Sequence, residues 1–152
     1  MTKGTTNKGL FITGAYGVGK TYLASCIANE IIKNGKSVIF GTLIQLLDFI
    51  RDSYSDSEAS DKDYLNLYSS VDLLVIDDLG GENVTGWSRD EVLAAVLTYR
   101  NQNKKITLFT SQYTQDDLIK IYTLKKDARE KIKVERLLNT IFTMSMPIMI
   151  KQ

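Results

Sequence analysis

GAYGVGKT, residues 14–21, follows the apolar run GLFIT (9–13) and precedes a helical pattern, and this junction decides the fold. Glycine lets main-chain N–H groups approach a ligand because no Cβ stands in the way. Such N–H groups at the N-terminus of a helix bind anions. The spacing G-x-x-x-x-G-K-T, placed between a strand and a helix, therefore predicts a phosphate-binding loop of the Walker A type.

The Walker A pattern predicts a role for each position of the loop. The residues expected to hold ATP are Gly14, Ala15, Tyr16, Gly17, Val18, Gly19, Lys20, Thr21 and Tyr22. The Lys20 ammonium is long enough to reach the β- and γ-phosphates, which makes it a catalytic candidate too. The Thr21 hydroxyl is a candidate ligand of Mg²⁺. The alternative, a glycine-rich turn with an incidental lysine, is disfavoured by the flanking strand and helix.

A second candidate half-site follows the apolar run in DLLVIDDLGG (72–81), which is typical of a buried central strand. Asp77 is expected to bind Mg²⁺, directly or through water, and Asp78 to orient or deprotonate the attacking water. Two adjacent carboxylates repel each other, and a divalent cation relieves that repulsion. The alternative is a pair of aspartates that cap the turn before the two glycines.

A third polar strand end occurs in ITLFTSQ (106–112). In P-loop ATPases such a position contacts the γ-phosphate or the attacking water. Ser111 is therefore a candidate for cofactor binding and Gln112 a catalytic candidate. The alternative is a strand that simply runs out into a polar turn.

Composition narrows the class of protein. The chain has 152 residues and 43% hydrophobic residues, which suits one domain. It contains no histidine, which excludes histidine-based triads, general bases and metal ligands. The single cysteine, Cys26, precludes an internal disulfide and favours a reducing, cytoplasmic location. No apolar stretch approaches the ~18 residues needed to cross a bilayer, so no membrane partner is expected.

Strand and helix patterns alternate along the chain. Apolar runs predict five strands, at 9–13, 37–42, 72–81, 106–112 and 143–150, the last favouring a sheet edge because of Pro147. Helical patterns predict helices at 20–34, 43–54, 64–70, 88–103 and 125–142, and one after Thr114. Ser88 with Glu91 three positions later predicts a capping box at the start of 88–103. The order predicts a parallel sheet with helices on both faces.

The predicted domain organisation is simple. Residues 1–8 are expected to be a disordered lead-in or the remnant of a linker, and 9–152 one ATP-binding domain. The Ser- and Asp-rich stretch 55–63 is expected to be an exposed loop.

Three stretches together carry a family resemblance: KGLFITGAYGVGKTYL (8–23), LLVIDDLGGENVTGWSRDEVLAAVLTYR (73–100) and TLFTSQY (107–113). They resemble the AAA+ domain of DnaC/DnaI-type replicative helicase loaders, the DnaI branch in particular, and the transposition helper IstB shares that core. The resemblance implies an α/β fold of the P-loop NTPase (AAA+) class, with α/β/α layers and a mainly parallel five-stranded sheet. The chain stops soon after its last strand, so no full C-terminal lid domain is expected.

The same resemblance implies a function. It implies ATP and Mg²⁺ as cofactors, weak Mg-dependent ATP hydrolysis, nucleotide-dependent binding of single-stranded DNA, and loading of the replicative helicase as a primosome component. Self-association is a further expectation, and Arg89 is predicted to face an adjacent subunit's nucleotide or DNA.

The sequence departs from the family pattern at two places. The fourth strand ends in Thr-Ser-Gln where the family usually has Thr-Ser-Asn. Thr140 stands where members commonly carry an arginine proposed to reach a neighbour's γ-phosphate, and Arg136, one helical turn earlier, is the catalytic candidate for that role. These departures keep two alternatives open, a nucleotide-gated binding module with little hydrolysis and an IstB-like transposition helper. A small-molecule P-loop kinase needs a lid and an acceptor-binding segment that the sequence does not show.

Positive charge is concentrated in residues 120–136, which contain seven Lys and Arg against three carboxylates. A basic stretch of this kind contacts a nucleic-acid backbone or a neighbouring subunit. The alternative is a solvated helix face.

Overall fold

The computed structural model describes residues 8–53 and 61–151, and its centre is a five-stranded parallel sheet. The strand order is β2-β3-β4-β1-β5, with every neighbouring pair parallel. The strands are β1 Gly9–Thr13, β2 Val38–Thr42, β3 Leu73–Asp77, β4 Ile106–Ser111 and β5 Ser145–Met149. This confirms the five predicted strands and the predicted P-loop sheet.

Six α-helices and one π-helical segment are found in the described part of the chain. They are α1 Lys20–Lys33, α2 Leu43–Ser53, α3 Asp61–Ser70, the π-segment Trp87–Ala94, which runs directly into α4 Ala95–Gln102, α5 Gln115–Tyr122 and α6 Ala128–Met144. Within these residues, no helix is both long and apolar enough to cross a membrane. Residues 1–7 of the predicted lead-in and residues 55–60 of the predicted Ser- and Asp-rich loop lie outside the described residues. Residues 61–63 belong to α3, so the loop prediction is wrong there.

The helices form layers on the two faces of the sheet. Helix α1 lies on one face, where the buried Ala24 and Ala28 let its backbone approach Ile12, Val75 and Leu108 closely. The other helices bury a larger apolar cluster against the opposite face. Alternate residues of β3 point to the two clusters, and the whole strand is buried. The predicted three-layer architecture is therefore confirmed.

Strand register brings the predicted site residues to one edge of the sheet. β4 lies between β1 and β3, with Thr13 paired to Ser111 and Ile76 to Phe109. The loop after β1 and the aspartates after β3 therefore flank the end of β4. In open α/β sheets this carboxyl edge is where ligands bind.

The helix after β3 does not begin as predicted. Its first residue is Trp87, and the reciprocal cap joins Thr85 and Ser88: each backbone N–H donates to the other's hydroxyl, at 2.9 and 3.1 Å. The predicted capping box of Ser88 with Glu91 is wrong because Ser88 already occupies the third position of a cap that starts at Thr85. The first eight residues are wound as a π-helix, a form that is rare and concentrates at functional sites.

The last three elements, α5, α6 and β5, begin or pair as their capping residues and Pro147 indicate. Thr114 caps α5, accepting from the N–H of Asp117 at 3.1 Å, as predicted. Helix α6 starts three residues later than predicted, because Asp127 caps it by accepting from the N–H of Glu130 at 2.8 Å. Among the described strands, β5 pairs with β1 alone, so Pro147 lies at a sheet edge as expected.

Candidate nucleotide-binding site

The loop between β1 and α1 has the backbone of an anion-binding turn. Gly17 and Gly19 adopt φ values of 79° and 103°, which residues with a Cβ rarely adopt. Gly19 precedes α1 without any side-chain cap, and the first turn of α1 contains no acidic residue. The first turn of the helix thus supplies neither a capping side chain nor a negative charge of its own, which suits a bound phosphate.

Lys20 places its charge over this loop. Its Nζ donates to the carbonyl oxygens of Gly14 and Ala15 at 2.8 and 2.7 Å. The ammonium therefore lies within reach of any anion that the loop amides bind.

Asp77 is the centre of a hydroxyl–carboxylate cluster. The Thr21 hydroxyl donates to both carboxylate oxygens at 3.0 Å, and the Thr110 hydroxyl donates to Oδ1 at 2.5 Å. Thr21 and Asp77 together fit Mg²⁺, which takes one or two protein oxygens and completes its shell with phosphate and water. No cluster of three or more His, Cys, Asp or Glu that could hold a metal ion is found in the described ranges.

Asp78 adopts an unusual backbone conformation beside this cluster. Its φ is 55°, a left-handed conformation that is strained for a residue with a side chain. Its N–H donates to the Thr110 hydroxyl at 2.9 Å, so Thr110 bonds to both aspartates. Thr110 is not among the residues that the sequence motifs predict, although the parallel pairing of β3 with β4 places it level with Asp77.

A cavity of about 480 Å³ collects most of the predicted residues. It is lined by Tyr16, Gly17, Gly19, Lys20, Thr21, Tyr22, Thr42, Asp77, Asp78, Thr110 and Gln112. Tyr16 and Tyr22 are 90% and 75% exposed at its mouth. A larger, mainly apolar cavity of about 560 Å³ lies between β2, α2 and α3. Lys20, Thr21, Asp77 and Asp78 all line the smaller of these two cavities, which is therefore the candidate site.

Five predicted site residues do not line this cavity: Gly14, Ala15 and Val18 of the loop, and Ser111 and Arg136. Ser111 is fully buried; its hydroxyl donates to the carbonyl of Leu79 at 2.7 Å and accepts from the N–H of Tyr113 at 3.1 Å. Strand alternation explains this, since Thr110 takes the face that carries the site. Arg136 is exposed on α6 and lines a separate cavity of about 240 Å³ with Thr140, between α6 and the helix that begins at Trp87.

The prediction that Arg89 faces another subunit is wrong. Arg89 is 3% exposed; it pairs with Glu130 and with Asp90, and it donates to the carbonyl of Tyr122 at 2.8 Å. Hydrogen bonding from Arg89 lowers the pKa of both carboxyl groups. Arg89 therefore connects the π-segment to the C-terminal end of α5 and to the N-terminal end of α6.

A buried carboxyl group that no sequence motif predicts lies close to Asp78 in the chain. Glu82 is 7% exposed, and its Oε2 accepts from the N–H of Gly80 at 3.0 Å. Its Oε1 accepts from the buried Tyr122 hydroxyl. Burial raises the pKa of Glu82 above its usual value.

This raised pKa predicts a pH dependence of stability. Above the unfolded pKa of about 4.3, the folded chain retains a proton at Glu82 that the unfolded chain releases, so stability falls as pH rises to the folded pKa. Glu82→Gln removes this dependence. Urea denaturation at pH 5 and pH 8 should therefore show the variant gaining stability relative to the unmodified chain at the higher pH. Parallel pH profiles of the two proteins would contradict the prediction, and the exposed Glu135→Gln is the control.

Comparison with known proteins agrees with this geometry. The family model for IstB-like ATP binding protein matches residues 4–138. The replicative helicase loader DnaI of Bacillus subtilis (strain 168) is 32% identical over 142 residues, which are 93% of this chain and 45% of that protein. The replicative helicase loader DnaC of Escherichia coli (strain K12) is 29% identical over 109 residues, which are 72% of this chain and 44% of that protein. The chain thus spans less than half the length of these relatives.

A solved structure supports the same assignment. The crystal structure of DnaI superposes with a TM-score of 0.78 at 31% identity, covering 97% of this chain and 76% of that one. The resemblance to DnaC/DnaI-type loaders and the AAA+ fold are therefore confirmed. The chain belongs to the family of IstB-like ATP binding proteins.

Proposed function

We propose that this domain binds ATP with Mg²⁺, hydrolyses it slowly, and serves as the nucleotide switch of a cytoplasmic replicative helicase loader. One observation carries the proposal: the Thr21–Asp77–Thr110 cluster lies beside Asp78 in the same cavity as Lys20. A metal-ligand pair, a phosphate-binding lysine and a candidate base in one cavity are the parts that phosphoryl transfer requires.

Each side chain has a distinct task in this proposal. The loop amides and Lys20 bind the phosphates, while Thr21 and Asp77 hold the metal. Bound Mg²⁺ supplies positive charge that neutralises the phosphate oxygens. Asp78 orients or deprotonates the attacking water, and Gln112, exposed at the cavity wall, donates its amide to the γ-phosphate or to that water.

Two further contacts of the nucleotide belong to the proposal. Tyr22 and Tyr16 are exposed at the cavity mouth, where an aromatic ring covers the less polar part of the nucleotide. Arg136 lines a different cavity from the P-loop residues, so we propose that it acts on the nucleotide of a neighbouring copy after self-association.

Steady-state ATP turnover of Asp78→Asn tests the enzyme assignment. We expect a loss of about a hundredfold or more, because the variant keeps the metal ligands but removes the candidate base. The exposed Asp116→Asn is the matched control and should retain full turnover. If Asp78→Asn and the unmodified chain release phosphate equally slowly while both bind ATP, the alternative of a nucleotide-gated module with little hydrolysis is correct.

Single-stranded DNA is the proposed partner of a basic groove between α5 and α6. The groove has a volume of about 600 Å³, and Lys125, Lys126 and Lys131 line it together with the exposed Ile119. Asp127 and Glu135 line it too, so positive charge exceeds negative charge by one. The three lysines form no salt bridge among the described residues, so their charges are free to contact phosphates.

Replacing Lys125, Lys126 and Lys131 with alanine should weaken binding of oligo-dT about tenfold or more at low salt. The slope of log affinity against log salt should shrink by about 0.7 for each lost phosphate contact. Fluorescence anisotropy over a salt series measures both quantities. The triple variant of the exposed Lys33, Lys36 and Lys62 removes equal charge and is the control. Equal losses in the two triple variants would indicate that net charge alone binds the DNA.

Helicase loading itself is tested by co-purification with a replicative helicase, with and without ATP. The proposal predicts recovery of the helicase that depends on ATP. Because the family model is named for IstB, duplex DNA provides the contrasting test. Cooperative assembly on duplex fragments, without any recovery of helicase, would favour a transposition helper.

A further inference from the structure

The turn that follows β3 is fixed at every residue from 78 to 82. Asp78 and Gly80 have φ values of 55° and 93°. The carbonyl of Asp78 accepts from the N–H of Gly81 at 3.0 Å, and the N–H of Leu79 donates to the carbonyl of Thr110 at 2.8 Å. A strained residue persists only where its surroundings determine its conformation in this way.

Close packing adds to these hydrogen bonds. A Cβ at Gly81 would lie 2.3 Å from Oδ2 of Asp78, so the candidate base lies directly over a glycine. A Cβ at Gly80 would lie 2.8 Å from the ring of Tyr113 and 2.9 Å from Leu118. The position of the Asp78 carboxylate therefore depends on the path of the two glycines beneath it.

Glu82 closes the turn at an energetic cost. Its carboxyl group is buried, and no salt bridge among the described residues includes it. Burying a carboxyl without a cation is unfavourable, and an apolar side chain of similar size avoids that cost. The two donors on Glu82 are the N–H of Gly80, inside the turn, and the hydroxyl of Tyr122, at the end of α5. The carboxyl thus links the turn that carries Asp78 to α5.

We propose that Glu82, held by Tyr122, is a positioning residue for Asp78 in ATP hydrolysis. Its carboxyl group accepts the hydrogen bond of the Gly80 N–H, which stabilises the left-handed turn that orients the Asp78 carboxylate. It lines neither the phosphate loop nor the cavity. This inference rests on the proposed hydrolysis, and it assigns a role to a residue outside the cavity lining.

Glu82→Ala is the first test. The turnover number should fall about tenfold or more, while the affinity for Mg²⁺ with the non-hydrolysable analogue AMPPCP stays within about threefold. The affinity is retained because Lys20, Thr21 and Asp77 are untouched. The exposed Glu91→Ala in the π-segment is the matched control. Unchanged turnover in Glu82→Ala, or an affinity that falls as far as turnover does, overturns the proposal.

Conservative variants separate geometry from charge. Glu82→Gln should keep turnover within about threefold, because its amide oxygen accepts from Gly80 and its NH₂ group donates to the Tyr122 oxygen. Tyr122→Phe removes one donor and should lower turnover about threefold or more, against Tyr99→Phe, which alters a half-exposed tyrosine. A Glu82→Gln variant as impaired as Glu82→Ala would show that a negative charge, and not the hydrogen bond, is required.

Amide hydrogen exchange tests the positioning role of Glu82 without a measurement of ATP turnover. In Glu82→Ala and in Tyr122→Phe, the N–H of Gly80 should exchange about tenfold faster or more, while the amides of Gly17 and Gly19 are unchanged. If the unmodified chain shows no turnover, the proposed hydrolysis fails, yet this exchange measurement still decides whether Glu82 holds the turn. Unchanged exchange at Gly80 in both variants refutes the inference.

Discussion

Lys20→Ala is expected to lower ATP turnover about a hundredfold or more. The Lys20 ammonium lies over the carbonyls of Gly14 and Ala15, within the loop that would hold the β- and γ-phosphates. Among the described residues, no cation other than Lys20 lines the cavity, so none of them replaces the lost charge.

The measurement is phosphate release at saturating Mg²⁺ and ATP, with and without single-stranded DNA. Lys36→Ala, which removes an exposed lysine outside the cavity, should leave turnover unchanged. Phosphate release by Lys20→Ala at the rate of the unmodified chain would contradict the assignment of the loop.

Arg100→Leu is expected to lower the free energy of unfolding by about 3–5 kcal/mol. Arg100 is fully buried; its guanidinium donates to the Thr107 hydroxyl at 2.8 Å and to the carbonyls of Val71 and Ile106 at 2.7 Å, and of Tyr68 at 3.0 Å. Burial lowers the pKa of Arg100 to about 10, so it stays charged at neutral pH. Leucine leaves these buried acceptors without donors, and each costs about 1–3 kcal/mol.

Urea denaturation measures this loss, and the thermal midpoint should fall by roughly 10 °C. Arg100→Lys should lose most of the same stability. A lysine ammonium lacks the planar arrangement of N–H donors with which the guanidinium reaches all of these acceptors. Arg129→Leu, on the exposed start of α6, is the control. A loss below about 1 kcal/mol in Arg100→Leu would show that these hydrogen bonds contribute little.

The parts of this protein that sequence predicts well are those with local causes. The glycine spacing of the loop, the apolar runs of the strands and the Thr114 cap each depend on residues a few positions apart, and the structure has all three where expected. The Walker A and Asp-Asp motifs also predicted that Lys20, Thr21 and Asp77 would meet, because parallel strands end at a common edge.

The parts that sequence did not predict depend on contacts between distant elements. Arg89, Arg100 and Glu82 are buried through partners 28 to 41 positions away, as well as through nearer ones. Charged residues are usually exposed, so a single sequence favours placing them on the surface. Arg89 was accordingly predicted to face a neighbouring subunit, and the structure pairs it with Glu130 inside the domain.

The adjacent residues Thr110 and Ser111 are a second case in which the sequence alone did not predict the correct contact. Both hydroxyls follow an apolar strand, and the motif predicts Ser111 as the contact with the cofactor. Successive side chains of β4 point to opposite sides of the sheet, so only one of these two residues points toward the site. That residue is Thr110, whose hydroxyl bonds to Asp77.

Titration calorimetry with ATP tests the central claim most directly, namely that the loop amides with Lys20 bind the phosphates while Thr21 and Asp77 hold the metal. The account predicts saturable binding at one site per chain in the presence of Mg²⁺, weakened about tenfold or more by chelation of the metal or by Asp77→Ala. A folded sample that takes up no ATP in the presence of Mg²⁺ would contradict it.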